Sequence, residues 1–165
     1  MPNDAQAQYM ESLSHFDTAM MVTRATNGRL HARPMNIISK SEKELWFATG
    51  EGSEKIREVE RDERVLVVCQ SPLRFLSLTG RATTVRHREK IREMWTASLE
   101  PWFDGPDDAR VVLVCFQTEA AEYWDLQGIG GIQFVWDAAR SLFSSNSPAP
   151  RNQEQHGVVD FRPSS

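Results

Sequence analysis

Asn27-Gly28 stands between two apolar, β-compatible runs, DTAMMVTRAT at 17–26 and RLHARPMNIIS at 29–39. Asn-Gly accepts the backbone angles of a tight hairpin, so the pair predicts two antiparallel strands. A polar KSEK turn at 40–43 leads into ELWFAT, a third strand. Next comes SEKIREVERDE at 53–63, a short surface helix with Ile56 and Val59 on one face and charges elsewhere. RVLVVCQS and RFLSLTGRATTV read as strands joined across Ser71-Pro72, and in the second Leu76, Leu78, Gly80 and Ala82 share one face. HREKIREMWTASL reads as a helix, RVVLVCFQT and AAEYWDL as two further strands, and GIQFVWDAARSLF as a last helix. About seven hairpin-linked strands with singly inserted helices predict a mainly β fold, a small closed antiparallel barrel with accessory helices. One domain is expected over residues 1–143, and the polar, Pro/Ser-rich 144–165 as a flexible tail.

Composition narrows the function classes. A net charge of −4 gives no broad attraction to nucleic acid or anionic membrane, so neither is expected as a partner. No run of about 18 apolar residues is present, and the N-terminus lacks a basic start followed by an apolar stretch, so a cytoplasmic address is expected. Cys69 and Cys115 lie in apolar runs and read as reduced core residues. The four histidines are scattered without metal-ligand spacing, and no metal is expected. Five tryptophans are many for this length; most read as core or interface, with one or two available to flank a flat aromatic ligand.

The stretch TGEGSEK at 49–55 lacks the spacing of a nucleoside-triphosphate loop. Its parts still suit an anion. Gly50 and Gly52 permit a sharp turn, Ser53 is a candidate N-cap, and the helix N-terminus offers free N–H groups. Lys55 in the first helical turn is out of place, because that end carries partial positive charge. A four-residue loop at 40–43 would set Ser39 opposite Glu44, Asn36 opposite Phe47 and Arg33 opposite Gly50, with a bulge or an edge position expected at Pro34. Arg33, Thr49, Ser53 and Lys55 would then converge on one tetrahedral anion. The alternative stays open: Arg33 a solvated strand charge, and Lys55, Arg57, Glu54 and Glu58 members of a charged helix face.

NGRLHARPM, LWFATGEGSEKIREV, SLTGRATTV and AEYWD, in this order, resemble the general stress protein branch of the pyridoxamine 5'-phosphate oxidase-like, FMN-binding split-barrel superfamily. The resemblance runs from Glu11 to Ala139. It implies a split β-barrel homodimer with FMN, or FAD in its place, between subunits. It also implies an FMN-dependent oxidoreductase, a non-enzymatic flavin sensor or store, or a split barrel for haem, a deazaflavin or no cofactor at all. Arg33, Thr49, Ser53 and Lys55 match the residues that hold the flavin phosphate. Met35, Phe47 and Ala48 match strand positions whose backbone lines the isoalloxazine. Trp124 matches a tryptophan that closes the cleft, and Trp102 is a looser match. Three positions depart from the oxidase pattern: Glu54 replaces an arginine, Ile38 a basic residue and Phe75 a glutamine. The C-terminal Arg-x-His-x-Arg segment that grips pyridoxal is missing, so oxidation of vitamin B6 itself is not expected.

Overall fold

A computed structural model describes residues 4–126 and 156–162. The expected Asn27-Gly28 hairpin joins β1 (Thr18–Arg24) to β2 (Leu30–Lys40). Its loop is longer than two residues. The Gly28 N–H donates to Ala25 O at 2.9 Å and the Ala25 N–H to Arg29 O at 2.8 Å, with Gly28 alone at positive φ, 81°. This is a type I turn closed by a left-handed glycine, the usual three-residue hairpin.

The remaining strands are β3 (Glu44–Gly50), β4 (Arg64–Gln70), β5 (Arg74–Val85), β6 (Val111–Asp125) and β7 (His156–Asp160). They are ordered β3-β2-β1-β4-β5-β6-β7, all antiparallel, and a further β3–β6 pairing closes the first six into a barrel. Alternation fills its interior. Met21, Met35, Leu45, Phe47, Val65, Val67, Leu76, Leu78, Val114 and Phe116 all point into one core.

Three α-helices are among the described elements. The helix α1 (Asp4–Ser14), which the sequence reading did not assign, buries Tyr9 and Leu13 in that core. Lys40 Nζ caps its C-terminal end, donating to Ser14 O at 3.1 Å and Phe16 O at 2.6 Å. α2 (Glu54–Arg61) buries Ile56 and Val59. α3 (Arg88–Met94) and a 3-10 turn at Ala97–Leu99 cover the outer face of β3 and β6, where Ile91, Val111 and Leu113 pack with Trp46, Ala48, Trp95 and Phe103. No described helix is long and apolar enough to cross a membrane. Both cysteines are free and buried, and burial pushes the Cys69 thiol up to about 12 and that of Cys115 to about 11.

Three expectations are corrected. The two strands expected at 110–126 are one, β6, kinked by a bulge where β5 passes from Thr79↔Ala120 to Gly80↔Thr118. The β2–β3 register is Lys40↔Leu45 and Ser39↔Trp46, then shifts to Ile37↔Phe47, one residue off the expected Asn36 opposite Phe47. The bulge falls at Ile38, whose side chain joins the outer cluster, while Pro34 takes the edge position, on the part of β2 that pairs with β1 and not with β3. Within the expected tail, residues 156–160 are a strand, held by β6 from Ala120↔Asp160 to Trp124↔His156. The helix expected at 131–143 lies outside the described residues.

Candidate functional site

β2 and β3 pair only from Ile37↔Phe47 to Lys40↔Leu45. Beyond that point β2 follows β1 down to Leu30, while Ala48, Thr49 and Gly50 follow β6. The barrel is therefore split between Arg33 and Met35 on one strand and Ala48 and Thr49 on the other. Strand backbone on either side of such a split has N–H and C=O groups free to meet a ligand.

The turn after β3 bends at Gly52, φ 79°; Gly50 needs no such angle and ends the strand opposite Val111. Ser53 is the N-cap residue of α2 by position, yet its hydroxyl makes no capping bond. It turns instead to Thr49, with Oγ atoms 3.4 Å apart. Lys55 Nζ donates to Thr49 Oγ1 at 2.7 Å. Burial, then the nearby Arg33 guanidinium, hold the Lys55 ammonium below its ordinary range. Among the described residues no carboxylate pairs with Lys55. Two hydroxyls and two cations thus converge at one end of the barrel.

Arg33 reaches this group by a different route from the one expected. It pairs with Met21 on β1 rather than with Gly50, and its Nη1 is held under α2 by Thr23 Oγ1 at 3.0 Å and Glu58 Oε2 at 2.9 Å. Glu58 corrects the sequence reading further. It lies beneath the helix with its side chain 8% exposed, not on a solvated charged face. Its Oε2 also accepts from Thr23 Oγ1 at 2.6 Å, and its Oε1 meets His31 Nδ1 at 2.8 Å. Burial alone would raise this carboxyl, but the bonds from Thr23, Arg33 and His31 and the Arg33 charge outweigh it and pull it down to about 2. Thr23, His31 and Glu58 were missed because only the β1–β2 pairing, Thr23 opposite His31, brings them under α2. The same folding sets ligand-capable atoms of His31, Glu54 and Glu58 within 4.8 Å of one another, a grouping their sequence spacing hides. Within it His31 and Glu58 already hydrogen-bond each other.

The other expected residues are distributed. Met35 and Phe47 have their side chains in the core and Ala48 faces the outer cluster, so only their backbone is available at the split. Trp102 is 68% exposed on the segment after Leu99. That segment runs on to Arg110, whose carbonyl accepts from Glu51 N–H at 2.6 Å, beside the glycine turn. Trp124 lies at the far end of β6 and stacks on His156, with ring centroids 5.2 Å apart. Val112 pairs with Thr49, and twelve residues of strand, about 40 Å of contour, separate it from Trp124.

Comparison with known proteins gives a consistent family. Residues 4–148 match the family model described as pyridoxamine 5'-phosphate oxidase like. General stress protein 26 of Bacillus subtilis (strain 168) is 22% identical over 121 residues, covering 70% of this chain and 85% of that protein. Among solved structures, a Clostridium acetobutylicum protein related to general stress protein 26 superposes with a TM-score of 0.70 at 14% identity, covering 94% of each chain. General stress protein 26 of Bacillus anthracis gives 0.64 at 22% identity over 72% of this chain and 92% of its own. A general stress FMN/FAD binding protein from Xanthomonas citri gives 0.63 at 21% identity over 74% and 89%. The fold is the split barrel of these proteins.

Proposed function

Because the chain belongs to the pyridoxamine 5'-phosphate oxidase-like family, we propose that it is an FMN-binding flavoprotein of the general stress type. One observation carries this reading: Lys55 lies half-buried against Thr49 and near Arg33, with no carboxylate answering it among the described residues. A buried or half-buried cation without a counter-charge is costly, and a phosphate in that position relieves the cost. Thr49, Ser53, Lys55 and the unbonded edge of Arg33 would hold the phosphate. The backbone of Met35, Phe47 and Ala48 would border the ring system where β2 and β3 part. FAD fits the same reading, its phosphates taking the place of the single one.

Within one protomer Trp124 lies twelve residues along β6 from the partner of Thr49, and its ring stacks on His156 rather than on that group. A homodimer resolves this if Trp124 of a second copy approaches the split of the first. The face that would pair is apolar: Met20 is 39% exposed and Leu30 67%, beside the half-buried Val22, Leu66 and Val68. Bound flavin would supply hydride or electron transfer. The chain's own residues would bind it, orient it and keep water from it, and no acid or base is required of them.

Titration of the purified protein with FMN and with riboflavin tests the site. Lys55→Ala and Arg33→Ala should each weaken FMN by roughly ten- to a hundredfold and riboflavin far less, since only FMN carries the phosphate. Equal losses for both ligands refute the assignment. Anaerobic addition of NADPH or NADH to the loaded protein then separates an oxidoreductase, whose flavin bleaches, from a sensor or store, whose flavin does not.

A further inference from the structure

Among the described residues, Glu58 is the one acid buried beside the two cations. Both of its oxygens are occupied: Oε2 by Thr23 at 2.6 Å and Arg33 at 2.9 Å, Oε1 by His31 at 2.8 Å. Arg33 uses a single nitrogen, Nη1, on it, which leaves the Nε and Nη2 edge of the guanidinium without a bond among the described residues. Lys55, three residues before Glu58 on α2, points away to Thr49. Glu58 is thus the negative charge that bonds one of the two cations directly, and the exposed Glu54 carboxylate lies within 4.8 Å of it in the shared grouping with His31.

We propose that Glu58 lowers the affinity of this site for every phosphate, acting as a built-in counter-anion that any incoming phosphate must share Arg33 with. The inference rests on the reading of the site as a phosphate holder. An anion bound to the open edge of Arg33 lies within one guanidinium's width of the Glu58 carboxylate, and like charges that close in a half-buried setting repel strongly. An anion that binds by charge alone, such as inorganic phosphate or sulfate, meets this repulsion with nothing to offset it. A phosphate ester with a large apolar body offsets it through contacts elsewhere in the split. Glu58 thus lowers affinity for all phosphates and confines occupancy to phosphorylated ligands that fill the split.

The charge around Glu58 is otherwise fixed by its neighbours. His31 and Arg33 reach it from β2, and Glu54 and Arg57 lie on the same helix beside the shallow cavity that His31 and Glu58 line with Ala25, Thr26 and Asn27. His31, with its side chain 40% exposed, is the position from which a new positive charge would face the Oε1 atom.

The test compares FMN, inorganic phosphate and riboflavin on wild type and Glu58→Gln, which removes the charge and keeps the side chain's shape. The expected result is roughly tenfold tighter binding of FMN and of inorganic phosphate, with riboflavin unchanged. A gain of this kind is not produced by loss of a merely structural residue. Weaker binding of all flavins alike would show that Glu58 only holds α2 in place, and a loss confined to FMN would show that it only orients Arg33; either overturns the proposal. If Glu58→Gln does not fold, His31→Arg carries the test, neutralising the carboxylate in place. FMN should tighten relative to riboflavin, and an unchanged ratio overturns the proposal. The outcome separates from that of the site itself: if Arg33→Ala and Lys55→Ala leave FMN unaffected, the phosphate reading fails first.

Discussion

Three residues separate Lys55 from Glu58 on α2, and the fold treats their charges in opposite ways. The lysine is made less willing to hold its proton, and the acid is made more willing to lose one. Glu58 makes acid stability a direct readout. Its carboxyl titrates near 2 in the folded chain against 4.5 ordinarily, so its stabilisation is fully present above about 4.5 and is lost as pH falls toward 2. The loss is on the order of 3 kcal/mol. Urea melts across that range should show wild type losing stability more steeply than Glu58→Gln, and parallel curves would contradict the assignment. Thr49, Ser53 and Lys55 were legible in the sequence because they span seven residues of one strand, turn and helix. Glu58 was not, because helical spacing alone cannot distinguish an acid facing water from one facing Thr23 and His31 on a distant hairpin.

Among the elements, β5 and β6 share the most demanding contact. A Cβ placed on Gly80 would lie 2.0 Å from the Gln117 carbonyl oxygen, inside the bulge that bends β6. Backbone cannot yield as a side-chain tip does, so Gly80→Ala should destabilise by about 1–3 kcal/mol or more, seen as a lower urea midpoint with m unchanged. A neutral substitution would mean that the bulge is not held as described. The strand content was readable from alternation, as in Leu76, Leu78 and Ala82, and the hairpin from Asn27-Gly28. The bulges were not. A bulge carries no mandatory residue, so Ile38 gave no signal, and Thr118-Glu119-Ala120 looked like a break between strands. The strand at His156–Asp160 was hidden by the polar composition before it; its two valines, Val158 and Val159, were its only signal.

The apolar outer face of β1, β2 and β4, together with the position of Trp124 at the far end of β6 from Val112, leads to a prediction about assembly. Light scattering should give twice the 18.8 kDa chain mass. Substitution of Leu66→Glu, half-buried on that face and pointing away from the core, should yield monomers. If the second copy completes the site, FMN binding should fall with it. Monomeric Leu66→Glu that binds FMN as wild type does would confine the site to one protomer. The motifs of the family put Thr49, Ser53 and Lys55 in one stretch, and the structure keeps them together, while the place of Trp124 at the far end became visible only once the length of β6 was known.

The closure of the barrel also dictates an order of events. Thr49 is held by β3, and β3 is paired on one side along its whole length by β6, which begins only at Val111. Contacts so distant in sequence form late, after the loop-closure entropy between them has been overcome. The hairpins β1–β2 and β4–β5 can assemble as the chain leaves the ribosome, whereas the second partner of β3, which flanks Thr49, is supplied only when β6 has been made. Closure of the barrel beside Thr49 is therefore expected to come late in folding, after the local hairpins have formed.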